Sequence, residues 1–238
     1  MKKATQKIEI IKRTKDSLRL RVPSHKAVTT ELVERYLRGK IKSVGFLFPP
    51  VKLPKDGLQF THISGKYSMK LGFGVDAGKA RQLGKPPRKP KLRLIVPATI
   101  EEARKAYHVT HTKYFVNKFK QHLSTKEKYV AGHPTWRWMD KTISVLLLRD
   151  SELVGMFTLI RWKMADGNPC RLILWSCISP ELGAAERQEA HYQATRWLRR
   201  NNLELPLRAA IHAFNVRSQK FHAKLGMRPN MVTAFRMH

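Results

Sequence analysis

Acidic residues are scarce in this chain: 238 residues carry 17 Asp and Glu against 47 Lys and Arg, a formal net charge of +30. Cysteine is scarcer still, with two residues. Long apolar runs are missing. Stretches such as Val145-Leu146-Leu147-Leu148 fall far short of the roughly 20 residues that a membrane-spanning helix needs. The opening Met1-Lys2-Lys3-Ala4-Thr5-Gln6-Lys7 has no apolar segment behind its lysines, so no secretory signal is read there. These absences exclude integral-membrane and secreted classes, and the chain is expected inside the cell, cytoplasmic or nucleoid-associated. Hydrophobic residues still make up 42%, an ordinary globular share, which rules out a disordered basic tail.

The cysteines, Cys170 and Cys177, fall on one predicted strand and so lie about 23 Å apart. A disulfide needs Cα atoms within about 7 Å, so the two are expected to stay reduced. There is no C-x-x-C pair. His108 and His111 sit three apart without a third ligand, and no metal site is expected.

What is abundant is positive charge, and it is spread along the chain. Residues 1–90 hold 22 basic and 6 acidic side chains, net +16; residues 91–238 hold 25 and 11, net +14. Such an excess repels itself in a compact fold unless a polyanion offsets it. Nucleic acid, or a nucleoprotein assembly containing it, is the expected partner; a membrane is not.

One composition shift marks a boundary. Gly78 to Lys91 reads GKARQLGKPPRKPK, basic and proline-rich with no apolar period, and is predicted to be a linker. Three parts follow: a basic β-rich N-terminal domain over 1–77, the linker over 78–91, and a larger domain over 92–238. In the first, Ile8 and Ile10 with Leu18, Leu20 and Val22 predict a hairpin around Thr14-Lys15-Asp16. Thr29 to Arg38 predicts a short helix stopped by Gly39, and Ile41 to Phe48 a strand. Leu58–Ile63 and Lys66–Val75 predict a second hairpin. Tyr67, Met69, Leu71, Phe73 and Val75 alternate with Lys66, Ser68, Lys70, Gly72 and Gly74, so the sheet is expected to have one core face and one basic face. Arg19, Arg21, Lys66 and Lys70 are candidate phosphate contacts on that face, and Lys85, Arg88, Lys89 and Lys91 on the linker.

Beyond the linker, strand and helix patterns alternate. Leu92–Val96 is a strand, and Thr99 with Glu102 forms a capping box for a helical stretch over 100–122. Ile143–Leu148 and Leu153–Trp162 form a hairpin, and Arg171–Ile178 is apolar on both faces. A helix over about Ala185–Asn201 buries Ala190, Ala194, Trp197 and Leu198. Strand Leu207–Phe214, helix Val216–Leu225 and strand Met231–Met237 complete the order. The fold class is α/β (α+β), a mixed central sheet flanked by helices.

This order resembles that of the GNAT acyltransferase superfamily, and three strings carry the resemblance. Residues 92–103, LRLIVPATIEEA, look like the family's opening strand and first helix. Asp150-Ser151-Glu152-Leu153-Val154-Gly155 resembles its D-G-E-x-V-G hairpin. Asn215 to Met227, NVRSQKFHAKLGM, is similar to N-x-x-A/S-x-x-L-Y-x-K-x-G-F. The match covers about residues 91–238 and nothing before them.

The resemblance implies acetyl-CoA or another acyl-CoA as donor, with Asn215 and Ser218 holding its arm. Backbone N–H groups near Ile178 would hold the oxyanion. His222 stands at the family's tyrosine position and would protonate the leaving thiolate. The family's phosphate loop, Q/R-x-x-G-x-G/A, is degenerate here. After Ser179-Pro180-Glu181-Leu182 comes Gly183-Ala184-Ala185-Glu186-Arg187-Gln188, with neither glycine in register. Asp150, Glu152 and Glu181 are candidate general bases. Three functions stay open: an acyltransferase acting on or bound to nucleic acid or a nucleoprotein, an inactive GNAT-fold nucleic-acid-binding subunit of a larger assembly, and an aminoacyl-tRNA-dependent transferase.

Overall fold

A computed structural model describes residues 8–60, 67–123, 141–164 and 167–236. The strands are β1 (Glu9–Arg13), β2 (Ser17–Arg21), β3 (Ser43–Leu47), β4 (Tyr67–Val75), β5 (Leu92–Ile95), β6 (Thr142–Arg149), β7 (Glu152–Lys163), β8 (Pro169–Ile178), β9 (Leu207–His212) and β10 (Arg228–Arg236). The main helices are α1 (Thr30–Tyr36), α2 (Ile100–His111), α3 (Ala184–Arg200) and α4 (Val216–Lys224). Residues 112–122 continue α2 through a π turn and two short turns. The chain forms two compact units. One gathers Met1–Gly74, Ala209–Ala223 and Met227–His238, the other Val75–Arg208 and Lys224–Gly226.

In the first unit the strands lie in the order β1-β2-β3-β10-β4-β9. β2 and β3 run parallel; β1–β2, β3–β10 and β10–β4 are antiparallel. Matched rows share a face. Leu18, Val44, Ala234 and Met69 form one row, and Leu20, Phe46, Val232 and Leu71 the next. All eight are buried, and a fully buried side chain of the larger kinds is worth about 1.5–3 kcal/mol. The first hairpin and the alternation of β4 are as the sequence predicts, and the short helix forms within the predicted span, capped by Thr29 and ending at Tyr36, short of Gly39.

A free-standing domain over 1–77 is not what forms. β10, from the far end of the chain, lies between β3 and β4, because two strands lacking a neighbour would leave ladder N–H and C=O groups unpaired. The second hairpin also differs. Leu58–Phe60 are not a strand; the Leu58 N–H donates to Gln219 Oε1 at 2.9 Å, and Gln219 Nε2 donates back to the Leu58 carbonyl at 3.2 Å. Its backbone groups are thus spent on α4. Residues 61–66 lie outside the described residues.

In the second unit β8-β7-β6-β5 form an antiparallel meander. Leu146 and Met156 pack with Ala103, Ala106 and Tyr107 of α2. Leu147, one step along β6, packs with Val154, Leu182 and Ala190 of the α3 region. Alternation along β6 therefore puts α2 and α3 on opposite faces, and Val154, two residues from Met156, reaches the α3 face through the register shift next to Leu147. Ala190, Ala194 and Leu198 are buried as predicted, while Trp197 is half-buried and Glu189 is unexpectedly buried.

The predicted linker is no spacer. Its prolines do keep it out of helix and strand, but its polar groups are stapled to α3. Gln82 Nε2 donates to the Tyr192 carbonyl at 2.8 Å and Thr195 Oγ1 at 2.6 Å, and the Ala80 N–H donates to Asn202 Oδ1 at 3.0 Å. At the far end the N–H groups of Lys91 and Leu92 donate to the buried Glu189 carboxylate at 3.1 Å. Gly84, at φ +73°, lets the strap lie on the helix: a Cβ there would sit 2.2 Å from the Gln188 carbonyl oxygen. Gly84→Ala should therefore cost about 2–4 kcal/mol through strain and overlap, read as a lower melting temperature. An unchanged melting temperature would mean the strap is not seated.

Candidate functional site

Asn215, Ser218 and His222 come together at the start of α4. Asn215 Oδ1 accepts from the Ser218 N–H at 3.1 Å, which caps the helix. One turn on, His222 Nδ1 lies 2.8 Å from the Ser218 carbonyl and 3.4 Å from Ser218 Oγ. A carbonyl only accepts, so Nδ1 carries the proton. His222 is 2% exposed, beside the rings of Phe73 at 6.2 Å and Phe221 at 5.2 Å, and its Nε2 has no hydrogen-bond partner. Burial pushes its pKa down to about 4, against the opposing pull of the Ser218 carbonyl. The imidazole is therefore neutral at pH 7 and shut off from solvent, the reverse of what a proton donor to a thiolate needs. Ile178 belongs to the other unit, where it packs against the Leu147–Val154–Leu182 cluster and pairs with Gly155 in the β7–β8 ladder.

A phosphate cradle at the start of α3 requires open N–H groups and no nearby carboxylate. Glu186 Oε2 instead accepts from the Gly183 N–H at 3.1 Å and lies 3.6 Å from Arg149 Nη1. Arg149 also pairs with Glu152 at 2.5 Å. Arg187 turns Nη2 back to its own loop, where it donates to the carbonyls of Leu182 at 2.7 Å and Pro180 at 3.2 Å. These residues do not fit the diphosphate of an acyl-CoA. Two of the three candidate bases are engaged as well. Glu181 pairs with Lys113 at 3.0 Å, and the Arg149 hydrogen bond holds the Glu152 carboxyl below its ordinary range. Asp150 occupies the hairpin turn at φ +53° and accepts from Arg93 Nη2 only through its backbone carbonyl, at 3.1 Å.

The basic face is more nearly as expected. Lys12, Arg19, Gly45, Thr233 and Lys70 stand opposite one another across five strands, and Glu9, Arg21, Leu47, Met231 and Gly72 form the neighbouring row. Arg19, Arg21 and Lys70 thus share one sheet face, while Lys66 lies outside the described residues. Glu9 is that row's sole acid, paired with Arg21 at 2.8 Å. Both partners are exposed, so the pair is worth little. The glycines of this face lie under neighbouring side chains. A Cβ on Gly45 would meet Arg19 Cγ at 3.7 Å, and one on Gly72 would meet Met231 at 3.0 Å. On the strap, Lys85, Arg88, Lys89 and Lys91 are all exposed. The sequence reading missed the cross-strand pair Arg161–Arg171 in β7–β8; both residues were visible, but the register that opposes them was not.

No family model matches the chain, and no curated protein matches it. Solved structures do. A functionally unknown conserved protein from Staphylococcus epidermidis is 13% identical, with 97% of this chain and 94% of that one covered and a TM-score of 0.52. A GCN5-related N-acetyltransferase from Kribbella flavida is 11% identical, with 93% and 82% covered and a TM-score of 0.45. A tandem GNAT protein from the clavulanic acid biosynthesis pathway is 14% identical, with 91% and 75% covered and a TM-score of 0.43. The chain shares its fold with the first of these over nearly its whole length, and GNAT acetyltransferases are among its structural neighbours. No helix among the described residues is long and apolar enough to cross a membrane.

His222 gives a signed prediction. Its pKa is 6.5 in the unfolded chain and about 4 in the fold. Above 6.5 it is neutral in both states. As pH falls towards 4 the unfolded chain gains a proton that the fold refuses, so stability falls, by about 2 kcal/mol at about pH 5. His222→Gln, which can still donate to the Ser218 carbonyl, should lose that part of the slope. Urea denaturation at neutral and mildly acid pH checks it; identical slopes in both proteins would refute the buried, neutral assignment.

Proposed function

We propose that this chain is a nucleic-acid-binding protein built on a GNAT-like fold, working inside the cell as part of a nucleoprotein assembly. The observation that carries this reading is the row Lys12–Arg19–Gly45–Thr233–Lys70 with Arg21 beside it, in a chain with net charge +30. Small neutral residues lie between cations at both edges, a shallow surface on which a phosphate backbone can rest. Phosphate contacts release counterions, so binding follows charge and depends little on sequence. The exposed lysines and arginine of the strap, in the other unit, are further candidate phosphate contacts.

Acyl transfer to a nucleic acid or nucleoprotein is the second reading, favoured by the Asn215–Ser218 cap, which keeps the residue types the family uses. Any acyl donor would have to be held without the start of α3. That condition suits an aminoacyl-tRNA better than an acyl-CoA.

Wild-type protein freed of nucleic acid should bind short DNA or RNA with affinity falling about a thousandfold or more from about 50 to 200 mM salt. Replacing Arg19, Arg21 and Lys70 together with Gln should weaken binding roughly tenfold or more and flatten the slope of log K against log salt by about 2 to 3. Fluorescence anisotropy reads both. Retention of full affinity and slope would remove this face from the interface. Calorimetry with acetyl-CoA should give no heat; a micromolar isotherm would instead favour the acyl-CoA-dependent enzyme.

A further inference from the structure

β7 and β8 form a ribbon that runs past the start of β6, which begins with Thr142 opposite Ile160. Beyond that point Arg161 stands directly opposite Arg171, and Lys163 opposite Pro169. Directly opposed residues share a face, and alternation adds Lys163 to it. Three cations thus stand on one side of the ribbon. Arg161 and Lys163 are exposed and Arg171 is half-buried. Arg171 Nε is out of solvent with no hydrogen-bond partner. The exposed Trp162 lies on the reverse side, opposite Cys170.

Opposed like charges, with Cβ atoms about 5 Å apart, destabilise an antiparallel pair. A carboxylate at either position would turn the repulsion into attraction, yet both positions hold arginine. The main chain at this site is satisfied, the Arg171 N–H donating to the Pro206 carbonyl at 2.9 Å, so only side-chain charge is left uncompensated. An anion seated between the two arginines cancels the repulsion. Two planar forks on opposed positions of one face match phosphate oxygens better than single-point cations would.

We infer that the Arg161–Arg171 pair, with Lys163 beside it, is a phosphate clamp for the phosphodiester backbone of a nucleic-acid strand. The inference rests on the nucleic-acid reading above but on a different surface from the β1–β4 sheet face. It makes the ribbon a second binding surface, with its own cations and its own salt dependence.

The test compares the full-length wild type with Arg161→Gln/Arg171→Gln, using a short labelled single strand and a short duplex over a range of salt. The double variant should bind roughly tenfold or more weakly, with a duplex slope shallower by about 2, close to 0.9 for each phosphate that is no longer neutralised. Its melting temperature without nucleic acid should match or exceed the wild type's, because the opposed charges are gone. Should the double variant fail to fold, Arg161→Gln alone, at the exposed position, should flatten the slope by about half as much. Wild-type affinity and slope in the variants overturn the clamp and leave nucleic-acid binding by the sheet face standing. A lower melting temperature with unchanged affinity assigns the arginines to structure and overturns it too. Displacement of the oligonucleotide by inorganic phosphate at matched ionic strength overturns the strand assignment in favour of a free anion. A wild type that holds neither oligonucleotide overturns both proposals together.

Discussion

The shortage of carboxylates constrains everything else in this molecule. With 17 acids against 47 strong cations, ion pairs cannot neutralise the surface. Several of the described acids are in fact spent on backbone N–H groups. Glu102 accepts from Ala98 at 2.7 Å, Glu186 from Gly183 at 3.1 Å, and Glu189 from Lys91 and Leu92. Each fixes a chain entry or helix start, where orphan N–H groups would otherwise be left unpaired. The cations are left over, and at Arg161–Arg171 the sheet register sets two of them face to face.

The same use of acids bears on chemistry. An α/β fold that binds a phosphorylated cofactor at a helix start keeps those amides free and the local field positive. Here the Glu186 carboxylate occupies that place, with Arg149 as its counter-ion, and a second anion would meet like charge. At α4, by contrast, Asn215 caps the helix start while His222 lies in the core. A helix cap serves stability with or without a cofactor site, which is why likeness of fold and likeness of activity must be argued apart.

Most of the element order was legible from local pattern. Alternation in β4, the Thr99 cap of α2 and the 190–194–198 stripe of α3 are short-range signals, and the structure returns them. Long-range pairings were not legible. Nothing in residues 1–77 announces that β10 will lie between β3 and β4, since strand pattern gives a face but not a neighbour. The docking of the strap over 78–91 was illegible for a related reason: proline excludes helix and strand but does not say what the segment packs against. The sign that it docks is Gly84, whose close approach to Gln188 only the fold reveals. Of the candidate site, residue types were legible and environments were not. His222 matched a motif position, but its burial depends on Phe73, roughly 150 residues away in sequence.

The central claim is that the unbalanced cations are held in place for a polyanion. Thermal unfolding of nucleic-acid-free protein, with and without a short duplex at fixed low ionic strength, tests it most directly. A ligand that binds only the folded state stabilises it by about 2.7 kcal/mol at a hundred times its dissociation constant. The account predicts a melting temperature that climbs by several degrees with added duplex and returns to its starting value when salt screens the phosphates. A melting temperature that ignores the duplex at low salt, or rises equally at high salt, would contradict it.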